Sequence, residues 1–265
     1  MDKANQIIAS LLEDVDNGTL ILPTLPRVAT AVRSVAQNPK SHISDFVKVI
    51  ETDAALAARI IQIANSPLTR GTRSVDDLQT AITRIGLSVL PHMVTGLVMG
   101  QIFKSTVPGV NRRLRAIWEQ STRMGTLARH LAAETGINAL RPDVAYLGGL
   151  LADIGKLPLL TQLEALTSEA LEQAEIDALV EQHHAALGAR ILKAWNFPDD
   201  LAFAAREHHN LALPGDKPAL VDCVVVAAAQ AETENTKAAA NFDWAQVASY
   251  QRLGLTTQLS ATRVA

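Results

Sequence analysis

Residues 117–132, IWEQSTRMGTLARHLA, decide the fold. Ile117, Gln120, Met124, Leu127 and Leu131 recur at intervals of three and four, which brings them onto one face of an α-helix. No period-two alternation competes with that reading. One member of the stripe is an amide. A polar side chain on an apolar face needs a hydrogen-bond partner inside the protein, so Gln120 marks a place where the core carries chemistry.

The same periodicity extends in both directions and predicts an all-α protein. Toward the C-terminus it predicts helices over 112–135, 143–160, 168–173, 176–195, 199–209, 219–232 and 243–253. Toward the N-terminus, Ile7, Ile8, Leu11, Leu12 and Val15 define a helix over 1–17, stopped by Gly18 and followed by a Pro-bounded connector to Pro26. Short helices follow. Ala29, Val32 and Val35 line one that Pro39 ends. Ser41 or Ser44 is placed to cap the next, with Phe46, Val47 and Ile50 inside. Asp53 caps a third, carrying Leu56, Ile60, Ile61 and Ile63 and ending at Pro67. Ser74 with Asp77 resembles a capping box before Leu78, Ile82 and Ile85. Gly86 breaks the pattern, and an apolar helix is expected over 89–103. The stretch STVPGVNRR, 105–113, reads as a boundary. It separates an N-terminal part, 1–107, from a second helical bundle, 108–265, and the two are expected to pack across an interface because the connector is short and lacks a Gly/Ser tract.

Composition narrows the functional classes. Hydrophobic residues are 48% and charged residues 19%, which suits a globular chain and not a disordered one. Aromatics are 4%, so the core is aliphatic, as in helical bundles. The net charge of -3 provides no global attraction for nucleic acid or anionic membrane. Cys223 is alone and forms no internal disulfide, in keeping with a reducing cytosol. The N-terminus carries acids where a signal peptide needs apolar residues. The longest apolar run, Cys223 to Ala229, falls far short of the roughly 20 residues a membrane helix needs. A soluble, cytoplasmic protein is expected. No receiver-, PAS- or GGDEF-like segment is read in the chain, so any input is expected through association.

The chemically interesting residues are LLADIGK (150–156), His183-His184, His208-His209 and Asp222. An acid, a histidine, a histidine pair and a second acid would form an N/O-ligand metal site if their helices bundle. Each also has a plain structural reading. His183 and His184 precede a stripe of Leu187, Ile191 and Trp195, so one of them suits a solvated first turn; His208-His209 ends a helix, where a cation complements the dipole. Asp222 suits a helix cap after Pro218. Asp153 is different, because an acid among Leu150, Leu151, Ile154 and Leu157 needs a specific partner, and the amide of Gln120 is a natural donor.

Taken in order, these segments carry a resemblance. IWEQSTRMGTLARHLA, YLGGLLADIGKLPLL and HHAALGARILKAWNFPDDLAFAAREHH, preceded by LPTLPRVATAV, VIETDAALAARIIQIANSP and SVDDLQTAITRIG, resemble the HDOD family, the HD-related output domain, from about 20 to 231. The resemblance implies a fold similar to HD and HD-GYP phosphohydrolases and a signalling or regulatory role, often on a degenerate metal site. In catalytic relatives a His stands where this chain has Gln120, and the His of the defining His-Asp doublet falls on Ala152. Asp153, Lys156, His184, His208-His209 and Asp222 match retained positions, although Asn210 stands where a Glu would be and LALPGDKP replaces a GYP signature. With two imidazoles missing, the implied site is vestigial: Lys156 is a catalytic remnant, no cofactor is expected, and any ion would be a weakly held Fe, Mn or Ni. The leading function is then a non-catalytic signal-transduction module that binds signalling proteins or a small ligand, with a homodimer left open and no membrane partner. The alternative is a metal-dependent phosphohydrolase or cyclic-nucleotide phosphodiesterase with a reduced ligand set. Nucleic-acid binding ranks third. It rests on a helix-turn-helix rhythm over 75–100 and on Arg70, Arg73, Arg84, Arg112, Arg113 and Arg115, which read better as a solvated face.

Overall fold

The computed structural model describes residues 25–66, 74–163, 172–233 and 242–255, with isolated positions among the first seventeen. The helices expected over 1–17 and 168–173, and Arg70 and Arg73, lie almost wholly outside the described residues. Among those described, every regular element is a helix. The chain forms two compact units, residues 23–102 and a unit built from 103 onward.

The first unit contains α1 (Arg27–Gln37), α2 (Ile43–Ile50), α3 (Ala54–Ala64), α4 (Leu78–Ile85) and α5 (Leu90–Met99). Its core joins Val32, Phe46, Ile50, Ile60, Ala81, Ile82, Leu90 and Val94. Asp53 caps α3 by accepting from the Leu56 N–H, and Asp77 caps α4 by accepting from the Thr80 N–H. The start of α2 differs from expectation. His42, not Ser41 or Ser44, is its N-cap, and the Asp45 side chain accepts from the His42 N–H at 3.0 Å. Asn65 fastens the end of α3 to Val75, donating to its carbonyl at 2.7 Å and accepting from its N–H at 2.9 Å. Helices α4 and α5 meet at 110° around Gly86, whose φ of +92° suits a residue without Cβ. The second helix of this pair has no exposed residue and no Lys or Arg.

The second unit contains α6 (Pro108–Glu134), α7 (Pro142–Leu151), α8 (Lys156–Leu163), α9 (Gln173–Ala194), α10 (Asp199–Glu207), α11 (Leu220–Thr233), a 3-10 turn (Trp244–Gln246) and α12 (Ala248–Arg252). Proline opens both α6 and α7, where the missing N–H costs no hydrogen bond. Helices α6 and α7 cross where Gly125 and Gly149 lie back to back. A Cβ on Gly149 would stand 2.6 Å from the Met124 carbonyl oxygen. A buried aliphatic cluster including Met124, Leu131, Ala152, Val224 and Val225 fills the space behind this crossing. The stretch Pro142–Leu163 is apolar and long enough to cross a membrane by composition, but 83% of its apolar window is buried in the protein.

One expected helix is two. The pattern over 143–160 reads as continuous, yet 152–155 form a turn between α7 and α8, with N–H groups of Ile154 and Lys156 donating three residues back to Leu151 and Asp153. Asp153 therefore sits in a turn, not within a helix. The break has a steric purpose at Gly155. A Cβ there would lie 2.0 Å from the His184 carbonyl oxygen and 2.6 Å from the Gly188 nitrogen, so only glycine lets the turn press onto α9.

Candidate metal centre

Three elements bring four ligand-type side chains to one point. The turn before α8 presents Asp153, the middle of α9 presents His184, and the end of α10 presents His208 and His209. One donor atom from each lies within 4.8 Å of all the others. Asp153, His184 and His208 are buried, whereas the side chain of His209 keeps 36% exposure. His184 lies on the same α9 stripe as Ile176, Val180, Leu187 and Ile191, which explains its burial.

The ring orientations define the chemistry. His184 Nδ1 is 3.0 Å from the Val180 and Glu181 carbonyl oxygens, and His208 Nδ1 is 2.8 Å from the Ala205 carbonyl oxygen. A carbonyl only accepts, so each Nδ1 carries a proton, and in the neutral ring each Nε2 turns a lone pair inward. His184 Nε2 then lies 3.3 Å from His208 Nε2 and 3.3 Å from His209 Nε2, while Asp153 Oδ1 lies 3.4 Å from His184 Nε2 and 3.5 Å from His208 Nε2. Lone pairs facing one another at such distances repel unless a cation lies between them. Donors about 2.1 Å from a central ion are spaced by roughly 3.4 Å in a tetrahedron.

Two buried side-chain polar atoms among the described residues lack a hydrogen bond, Ser121 Oγ and Asp153 Oδ1. The second is the atom facing the three imidazoles. An orphaned carboxylate oxygen at that position fits a divalent cation, and the residues present could hold one ion with N/O ligands.

Electrostatics prepare the groups for that role. Burial pushes the Asp153 carboxyl up, but the His208 imidazole and the Lys156 ammonium, with His184 behind them, more than offset this and hold it well below the usual carboxylate range. Burial and the Lys156 charge push the His184 imidazole down to about 4. Burial and the neighbouring imidazoles push His209 down to about 3. At neutral pH the carboxylate is charged and these two rings are neutral, as a metal ligand set requires. Lys156, nearly buried, lies 3.2 Å from Asp153 Oδ1 and 2.9 Å from Glu181 Oε1.

The other residues singled out in the sequence are placed as follows. Asp222 does not join the group. Its Oδ1 accepts from Arg252 Nη2 and Nε at 2.6 and 3.0 Å, and its Oδ2 from the Ala219 N–H at 2.8 Å. A guanidinium occupies the place in its coordination that an ion would need. Gln120 is only half-buried, and its amide does not serve Asp153 Oδ1, which has no hydrogen bond. Ala152 is fully buried and adds no donor. His183 stands outside the group. Three partners had escaped the sequence reading: Glu181, Glu232, whose Oε1 lies 3.2 Å from His209 Nδ1, and Arg252. Glu181 could have been found, since it lies three residues before His184 on α9; nothing local marks the other two.

Comparison with known proteins agrees with this architecture. The HDOD domain family model matches residues 22–211. The structure of a protein from Shewanella amazonensis SB2B described as a "Putative metal-dependent phosphohydrolase" is 29% identical, with a TM-score of 0.77, over 96% of this chain and 89% of that one. An HDOD domain protein of unknown function from Geobacter sulfurreducens shares the fold at 21% identity and a TM-score of 0.63, over 87% of this chain and 79% of that one. Among curated sequences, an uncharacterized protein of Treponema pallidum is 28% identical over 79% of this chain, and Ribonuclease Y of Fervidobacterium nodosum is 27% identical over 69%. The chain spans 41% and 30% of the lengths of those two relatives.

Proposed function

The chain belongs to the HDOD family, and from that premise we propose that it is a regulatory module that holds a single divalent cation and acts by binding signalling proteins, without hydrolysing a phosphodiester. The observation that carries this reading is the convergence of Asp153, His184, His208 and His209 on one point, with no second set of ligands beside it among the described residues. Binuclear hydrolysis needs two ions roughly 3.5–4 Å apart. The positions that would complete a second site hold the amide of Gln120, the methyl of Ala152, and an Asp222 already neutralised by Arg252. In this reading the ion ties α9, α10 and the 152–155 turn together, which sets the surface that partners meet.

A second reading is a metal-dependent phosphohydrolase working with one ion. Lys156 favours it, since an ammonium beside the ligand group would also attract a phosphate oxygen. So does the description of the Shewanella relative. The two readings separate in one experiment. Chelator-treated protein is titrated calorimetrically with Mn²⁺ and Zn²⁺, and the loaded protein is assayed on a cyclic dinucleotide and a generic phosphodiester. The expected result is one ion per chain and no turnover. Two ions per chain, or robust metal-dependent turnover abolished by Asp153→Asn, overturns the proposal.

A further inference from the structure

The three imidazoles are held in unlike ways. His184 and His208 are fixed by carbonyls of their own helices, so their Nε2 directions follow from the backbone. His209 lies beyond the end of α10, and its Nδ1 faces a side chain instead, the Glu232 carboxylate at 3.2 Å. Glu232 belongs to the last turn of α11, a different element. Both side chains of this pair are partly open to solvent, at 36% and 46%. A contact that exposed adds little to stability.

Its worth lies in orientation. A carboxylate only accepts, so it holds the proton on His209 Nδ1 and leaves Nε2 as the lone pair directed at His184 Nε2, 3.3 Å away. We propose that Glu232 is a positioning residue that makes His209 the fourth ligand of the site, and that it thereby sets how tightly the ion is held. This rests on the single-ion reading above. Without Glu232 the ring can flip or take the other tautomer, and the site falls back to Asp153, His184 and His208. The carboxylate also raises the basicity of the imidazole it contacts, as acceptors behind metal-bound histidines do. His209 is thus the removable side of the site, and the end of α11 controls it.

The test uses the full chain, with Mn²⁺ and Zn²⁺ as probes in calorimetric titrations of wild type, Glu232→Gln, Glu232→Ala, His209→Ala and the double variant. Glu232→Ala should weaken binding by roughly 10–100-fold. Glu232→Gln, which keeps an acceptor but not the charge, should lose less. The double variant should bind no more weakly than His209→Ala alone, because Glu232 works through that ring. Nitrogen-15 NMR of the ion-free protein should show His209 protonated at Nδ1 in wild type and mixed in Glu232→Ala, with an unchanged melting temperature. Wild-type affinity in Glu232→Ala, or additive losses in the double variant, overturns the inference while leaving the single-ion reading intact. A wild-type chain that takes up no ion overturns both.

Discussion

Two aspartates are buried in the second unit, each at 1% exposure, and the protein treats them in opposite ways. Asp222 is fully answered: Arg252 donates twice to one oxygen, the Ala219 N–H donates to the other, and Arg252 also reaches the Leu213 carbonyl at 2.7 Å. Asp153 is left open. Its Oδ1 lacks a well-aligned hydrogen bond and faces the Nε2 atoms of His184 and His208. Burying a carboxylate is costly unless something compensates its charge. Asp222 is compensated from within the chain and so ties α11 to α12. Asp153 is compensated in part by Lys156 and otherwise awaits a cation from outside.

This contrast can be broken most directly at Arg252. Arg252→Met strands the Asp222 charge and should destabilise the protein by about 3–5 kcal/mol, read from urea unfolding. Asp153→Asn removes a charge that Lys156 answers only in part and leaves no cation stranded without a partner, since Lys156 keeps Glu181, so it should cost less. Equal losses would show that the two carboxylates are alike. Next in size is the effect of the ion itself. Mn²⁺ or Zn²⁺ at a hundred times its dissociation constant should stabilise the wild type by about 2.7 kcal/mol. His184→Gln and Asp153→Asn should lose that gain, whereas Arg252→Met should keep it.

The dependence on pH sharpens the contrast further. His184 and His209 titrate near 4 and 3 in the folded chain, against an ordinary value near 6.5 when unfolded. The unfolded chain therefore takes up protons first as pH falls. Their contribution is present above about pH 6.5 and is lost progressively as pH drops toward 4, by about 1–3 kcal/mol in chelator. His184→Gln should flatten that slope. A melting midpoint that does not move between pH 7 and 4.5 would contradict neutral buried imidazoles. The smallest expected effect is that of Gln120→His, a half-buried position from which an added ring should tighten ion binding a few-fold without changing stability beyond about 0.5 kcal/mol. Unchanged affinity would place Gln120 outside the site's reach.

The helices were legible because their apolar stripes follow one period. Ile176, Val180, Leu187 and Ile191 face inward as the spacing requires, and His184 lies among them. The break at 152–155 was not legible. Every residue from Gly148 to Leu160 is buried, so burial gives no periodic cue, and the steric demand at Gly155 comes from the backbone of α9. The order of acid and histidines pointed to a shared site, and Asp153, His184, His208 and His209 do come together. It could not reveal that Asp222 has a guanidinium partner thirty residues later, since nothing near Asp222 or Arg252 encodes their meeting. Glu232 was invisible for the same reason.

Gly155 also bears on kinetics. With its α-carbon against the His184 carbonyl, the turn bearing Asp153 and the helix bearing His184 are packed backbone to backbone. The spacing between their donor atoms is therefore present before any ion arrives. Uptake should be a simple second-order event, its rate linear in ion concentration and limited by the ion shedding water. Release should be the slower and more variable step, governed by how often the His209 ring lets go.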